Sequence, residues 1–372
     1  MKRRHLLQGS LAAACIGPKA ALSLPASAAT DLAGRQLSLS KRPKTFVVAN
    51  YIANFLFVGG SQAVNQIVGL TADGWQQMRY AEYVRLTEAF PVLKDIPSIG
   101  GYHDDILNTE RILAIKPDVV LLGRTQYAAN AQRLELLQKN GIDIVVLDYH
   151  AMTLANHTQS TALLGSLLGR QEVAEAQISR YVEAVRVLQE RINALPEAAK
   201  TRRVYVECGN EGTRVYGNSY NRTVLWGGIL NRLQAHNIAA DMKAPYAALS
   251  REFVLAQNPE IIFIAGSIWQ NAAENDQMRM GLMVSREEAL ERLQGFIRRP
   301  LWERLAAVRN KQVFGVDHGS LRCMMDYAFS LFMAQKIYPG LFDDFNAQKE
   351  IESFFKTYLP EIDPSGTFVL EP

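Results

Sequence analysis

Apolar residues in this chain come in short unbroken runs, separated by stretches with three- and four-residue spacing. The runs at 45–50 (TFVVAN), 67–70 (IVGL), 119–123 (VVLLG) and 142–148 (IDIVVLD) predict four strands in the first half. Those at 202–207 (RRVYVE), 260–266 (EIIFIAG) and 312–317 (QVFGVD) predict three more in the second. VVLLG and IIFIA do not alternate with polar residues, which suits strands buried on both faces of a parallel sheet. Helical patterns lie at 128–140, closed by Gly141, and at 321–336 and 347–358. Strands alternating with helices predict an α/β fold with parallel sheets. From Gln171 to Leu195, apolar residues including Ile178, Tyr181, Val185, Leu188 and Ile192 keep helical spacing, and Pro196 ends the tract. About 23 helical residues would span roughly 35 Å, the width of a lobe. The tract therefore reads as a stiff strut.

One helix-to-strand unit is written twice. Residues 107–123, LNTERILAIKPDVVLLG, and 249–265, LSREFVLAQNPEIIFIA, align 142 positions apart, with Leu107/Leu249, Glu110/Glu252, Leu113-Ala114/Leu255-Ala256 and Pro117/Pro259 in register. Asn108 and Ser250 are good N-caps, which places Glu110 and Glu252 in the first turn of a short helix. Each proline stops its helix by disfavouring the helical conformation in the residue before it. Two copies imply two similar lobes. An acid near a helix N-terminus is modestly stabilising by itself, by about 0.3–1 kcal/mol, but its recurrence in both lobes points to a shared external role.

The chain has 372 residues, comfortable for two domains, and 48% hydrophobic content, enough for a sizeable core. The formal charge of +3 misleads. Lys2, Arg3, Arg4 and Lys19 fall in residues 1–28 beside no acid, and removing them from the 40 basic residues leaves 36 against 37 acidic ones. Nothing in that balance points to nucleic acid or an anionic membrane. Residues 1–28 have a basic start, a weakly apolar middle and Ala26-Ser27-Ala28, which fits an export cleavage site. Arg3-Arg4 resembles a twin-arginine signal, with a plain secretory signal as the alternative; LAAAC ending at Cys15 is a weaker lipoprotein pattern. The expected organisation is an export segment at 1–28, an α/β lobe at 40–155, a helical connector at 156–199 and a second α/β lobe at 200–372. Of the cysteines, Cys208 and Cys323 remain after cleavage; they show no CxxC spacing. An oxidising compartment would permit a bridge between them, but two free thiols are the simpler expectation.

Three segments together carry a family resemblance: IPSIGGYHDDILNTERILAIKPDVVLLG (96–123), LSREFVLAQNPEIIFIAG (249–266) and PLWERLAAVRNKQVFGVD (300–317). In that order they resemble the exported substrate-binding proteins of ABC importers that have a single helical connector, the helical-backbone metal-receptor class. The resemblance spans nearly all the chain after residue 28. It implies two Rossmann-like lobes joined by one long helix, with a ligand cleft between them. It implies a monomer that carries a metal chelate, a ferric siderophore or a nickel or other chelate, to a permease dimer in the inner membrane. Haem and cobalamin receptors belong to the same class. It also implies that Glu110 and Glu252 dock onto permease arginines, one acid per permease subunit. Exposed acids of this kind steer encounter and set register more than they add affinity.

In open α/β sheets the ligand lies beyond the carboxyl ends of the strands. That rule nominates Asn50, Tyr51, Asn54, Arg124, Thr125, Tyr127, Tyr149 and His150 in the first lobe. In the second lobe it nominates Glu207, Asn210, Glu211, Asn218, Tyr220, Trp226, Ser267, Trp269, Asp317, His318 and Arg322. The aromatic share suits the flat walls of a chelate site, and Arg322 could pair with a chelator carboxylate. Tyr102 and His103 are the candidate metal-facing pair: phenolate suits Fe(III), and imidazole suits nickel, copper or iron. They occupy the loop where haem-binding members of the resembled class carry an iron-ligating tyrosine. Here the spacing from that tyrosine to the acid is one residue longer and the following arginine is absent, a departure that argues against haem. No P-loop, GxGxxG, GxSxG or HExxH is present. The expectation is a non-catalytic receptor with no prosthetic group, the competing reading being a chelatase-like metal-handling enzyme.

Overall fold

The computed structural model describes residues 29–37, 42–102, 105–270 and 276–372. Residues 1–28, the expected export segment, and His103 lie outside the described residues.

Nine strands build the two main sheets: β1 (Phe46–Val48), β2 (Ile67–Leu70), β3 (Val119–Gly123), β4 (Asp143–Leu147), β5 (Arg203–Cys208), β6 (His236–Asn237), β7 (Ile261–Gly266), β8 (Val313–Asp317) and β9 (Val369–Leu370). The first sheet has the order β2-β1-β3-β4 and is parallel throughout. The second has the order β6-β5-β7-β8, also parallel, with β9 added antiparallel at the β8 edge. Strand for strand, the four parallel positions of one sheet repeat those of the other. β3 and β7, which follow the two repeated helices, occupy matching places. Both are buried along their whole length, as continuous apolar runs require.

The repeat holds in atomic detail. Asn108 accepts from the Arg111 amide and Ser250 from the Phe253 amide, capping helices Thr109–Ile115 and Arg251–Gln257. Each helix closes on a left-handed residue, Lys116 (φ 53°) and Asn258 (φ 44°), just before the proline. Glu110 and Glu252 stand exposed in the first turn of each.

The connecting helix runs Gln171–Asn193. Helix Leu154–Leu168 precedes it and packs along it; a side chain at Gly165 would sit 2.5 Å from the Ala174 Cβ, so only glycine permits that approach.

Two predicted helices differ from expectation. The 128–140 helix is two helices, Arg124–Ala129 and Ala131–Lys139. They break at buried Asn130, whose amide turns inward to Asp105 O (2.5 Å) and Gln126 O (2.7 Å) and whose carbonyl accepts from Leu107 N (3.0 Å). The 321–336 helix begins only at Tyr327. Arg322 takes φ 72°, outside the right-handed helical region, and residues 318–326 form an irregular turn instead. That turn carries Arg322 into the cleft.

Candidate ligand-binding cleft

The carboxyl ends of β1 and β4 meet at Tyr51 and His150. Tyr51 adopts a left-handed backbone (φ 61°), a strained conformation for a residue with a side chain. Its hydroxyl accepts from the Tyr149 amide at 3.3 Å and lies 2.6 Å from His150 Nδ1. Burial, then the nearby Asp148 carboxylate, push the Tyr51 phenol up, so it stays protonated. Asp148 itself caps the following turn through His150 N (2.9 Å) and Ala151 N (3.1 Å). The loop leading into helix Thr109–Ile115 brings Tyr102 to the same wall. It follows Gly100 and Gly101, both at positive φ, and packs onto Gly74, where a Cβ would meet the tyrosine's own Cβ at 2.1 Å.

Arg322 faces them from the second lobe. Its guanidinium reaches His318 O (3.1 Å) and lies 3.3 Å from His318 Nε2, while its Nε is buried with no partner. Its backbone carbonyl accepts from Asn54 Nδ2 across the cleft at 3.0 Å. Burial, then the neighbouring Arg79 charge, push the Arg322 guanidinium down to about 10. His318 receives the Trp226 indole N–H at 3.0 Å and stacks on Tyr220 with ring centres 6.2 Å apart. Desolvation in the cleft, Arg322 and Arg79 hold the half-buried His318 imidazole well below its usual range, and the same three causes act on His150, although that residue is exposed at the cleft edge.

The cleft wall includes Tyr51, Tyr102 and Arg322 from among the sequence nominations, with Asn54, Ser267 and Asp317. His150 and His318 join it through Tyr51 and Arg322. Trp226, Tyr220 and Trp269 are buried and surround His318, so they hold that ring instead of forming open walls. Three nominations stand apart. Arg124 is exposed, 3.8 Å from Asp148. Tyr127 lies under Arg35, at 5.4 Å, in a separate depression behind the sheet. Asn218 pairs with Ala248 in a short antiparallel ribbon. Glu207 is also withdrawn: both its oxygens engage Arg299, at 2.7 and 2.8 Å, in a buried pair. Cys208 and Cys323 are free and buried.

Sequence reasoning missed Arg79, Trp75 and Glu82, which line the same cleft. They lie on helices Ala72–Met78 and Tyr80–Ala89 and the residue between them. Arg79 bonds the Gly319 carbonyl across the cleft. Burial opposes its charge, but the Tyr102 phenol and the Glu82 carboxylate outweigh burial and raise it. Trp75 donates to Glu82 at 2.8 Å. The signal was available in TADGWQQMRY, a Trp on a short helix after a buried strand and an Arg directly at that helix's end. Among the described residues no three His, Cys, Asp or Glu side chains are grouped to hold a metal ion, and no helix is long and apolar enough to cross a membrane.

A two-lobed cleft of this kind, between repeated α/β sheets joined by one helix, defines a periplasmic-type solute receptor. Residues 75–318 match the family described as "Periplasmic binding protein", and the chain belongs to that family. A vitamin B12-binding protein of Pectobacterium atrosepticum is 30% identical over 234 residues, covering 60% of this chain and 80% of its own. A Bacillus subtilis protein named as an uncharacterized ABC transporter substrate-binding lipoprotein, YvrC, is 19% identical over 287 residues, covering 77% of each. The crystal structure of the TroA-like periplasmic binding protein FepB from Veillonella parvula superposes with a TM-score of 0.84 at 28% identity, over 93% of this chain and 99% of that one. The chain is thus a substrate-binding protein of the ABC-importer class, in a family of binding and not catalytic proteins.

Proposed function

We propose that the cleft captures an anionic metal chelate, a ferric siderophore foremost, and hands it to a permease dimer at the inner membrane. The observation that carries this reading is the convergence of Arg79 from the first lobe and Arg322 from the second. Among the described residues the Arg322 guanidinium forms no ion pair with a carboxylate, and its hydrogen-bonding partners are atoms of His318. Arg79 already has the Glu82 and Asp317 carboxylates near it, but its charge still disfavours that of Arg322, so an anion reaching Arg322 would relieve the repulsion, and guanidinium forks suit carboxylate and catecholate oxygens. Tyr102, beside Arg79, is the described side chain best placed to meet the metal, since phenolate suits Fe(III). Arg124, Tyr127 and Asn218 drop out of the proposed contact set. Glu110 and Glu252 dock the loaded receptor, one on each permease subunit. The protein works after export and cleavage beyond Ala28, and an intact mass measured on periplasmic material tests that point directly.

A cobalamin reading has one specific support: several curated relatives, from Pectobacterium, Salmonella and Yersinia, are named as vitamin B12-binding proteins. The absorption spectrum of protein purified from its own compartment separates the two. A broad visible charge-transfer band supports the ferric chelate, corrin bands overturn it in favour of cobalamin, and a Soret band overturns it in favour of haem.

A further inference from the structure

We infer that His318 is a fixed hydrogen-bond donor to an anionic oxygen of the ligand, and not a metal ligand, because Trp226 locks its ring in the Nε2–H tautomer. The inference rests on the anionic-chelate reading and narrows it: the protein recognises the chelator's oxygens at this point and leaves the metal's coordination to the chelator.

The argument starts from the indole. A tryptophan N–H can only donate. It lies 3.0 Å from His318 Nδ1, and Trp226 is 0% exposed, so no water is available to replace that acceptor. Nδ1 must present a lone pair. A neutral imidazole carries one proton, which therefore sits on Nε2. Arg322 and Arg79 disfavour a second proton, consistent with the lowered basicity of this ring.

Nε2–H then faces another donor, Arg322 Nη1, at 3.3 Å. The opposite tautomer would satisfy Arg322 but leave the buried indole N–H facing a ring N–H, a donor with no acceptor. The indole cannot escape that conflict, whereas the guanidinium already holds the His318 carbonyl at 3.1 Å. So the pair His318 Nε2–H and Arg322, whose Nε is also without a partner, is two donors converging on an acceptor. An anionic oxygen between them resolves the mismatch.

The same contact excludes metal ligation. A histidine that binds metal through one nitrogen donates its other N–H to an acceptor. Trp226 offers the reverse polarity. Tyr220, stacked at 6.2 Å, and Trp269, with its ring centre 6.3 Å away, keep the ring from turning over. On the first lobe His150 has no such lock: the Tyr51 hydroxyl 2.6 Å from His150 Nδ1 can either donate or accept, so it admits both tautomers of that ring.

Long-range proton–nitrogen correlation on the ligand-free, 15N-labelled protein reads the tautomer, with the His318 signal assigned by its absence in His318→Gln. The expected result is Nε2–H in wild type and a shift toward Nδ1–H in Trp226→Phe. Binding is then measured with a Ga(III) tris-catecholate, a trianion shaped like the ferric complex, and with the dianionic Ge(IV) analogue. His318→Gln, which keeps a donor, should retain affinity within about threefold, while His318→Leu and Trp226→Phe should each lose about tenfold. Wild type should favour the trianion over the dianion. Finding His318 as Nδ1–H, or finding His318→Gln as weak as His318→Leu, would overturn the inference. If wild type binds neither probe, the chelate reading of the cleft fails, and that failure is separable because the tautomer is read with no ligand present.

Discussion

Nε2 of His157 lies 2.7 Å from Oδ2 of Asp326, and neither side chain is exposed to solvent. His157 belongs to the helix that packs on the first lobe, and Asp326 stands just before the Tyr327–Ile337 helix of the second. Tyr181 of the connecting helix donates to the other oxygen of Asp326 at 2.9 Å. One carboxylate thus ties both lobes to their strut, close behind the cleft residues Arg322 and Cys323. The joint between the lobes is a buried polar network, which suits a receptor that flexes little.

Removing that carboxylate strands its partners. Asp326→Ala leaves the His157 and Tyr181 polar groups buried and unanswered, and the loss of stability should be about 1–3 kcal/mol for each stranded group. Urea unfolding at neutral pH measures it. A loss below about 1 kcal/mol would show that the network is not what holds the joint.

Glu110→Ala combined with Glu252→Ala should leave chelate affinity within about twofold of wild type, since both acids are exposed and stand on the repeated helices, not in the cleft lining. Uptake through the cognate permease in vesicles or cells should be lost. Normal uptake by the double variant would return both acids to a role in helix stability alone.

Stability should depend on pH through the two cleft imidazoles. Desolvation by the surrounding cleft, then Arg322 and Arg79, hold His318, which is half-buried, and His150, which is exposed at the cleft edge, below their ordinary 6.5, with the effect on His150 the more screened by solvent. Folded, both rings stay neutral; unfolded, they take up protons as pH falls below that value. The unfolded state then binds more protons, so stability is full above about pH 6.5 and declines as pH falls toward the folded values. Melting temperature measured from about pH 7 to pH 5 should drop less steeply in a His150→Gln, His318→Gln double variant than in wild type. Equal slopes would contradict this.

The scaffold was legible because its signals are local. β3 and β7 are buried on both faces, so the apolar run itself marks them. The Asn108 and Ser250 caps and the prolines after Lys116 and Asn258 bracket two seven-residue helices that the alignment of the two stretches already showed. The cleft was legible only in part. Tyr51, His150, His318 and Arg322 follow strand ends, where the carboxyl-end rule looks. Arg79 lies nine residues beyond the end of β2, at the junction of two helices, and only tertiary packing turns it across the cleft to Gly319. Tyr127 misled for a similar reason: it does follow β3, but its helix turns the ring behind the sheet to Arg35. Arg322 itself was placed on a helix, because nothing in LRCMMDYAFSLFMAQ announces a left-handed backbone at that arginine.

The most direct test of the account is calorimetric titration of wild type, Arg79→Met and Arg322→Met with a ferric tris-catecholate, with cyanocobalamin as the competing ligand. If the convergent guanidiniums define the site, wild type binds the ferric trianion more tightly than cyanocobalamin. Each variant then loses at least about tenfold in affinity, roughly 1.4 kcal/mol, with the loss shrinking as salt is raised. Variants that bind the trianion like wild type, or a wild type that prefers cyanocobalamin, would contradict it.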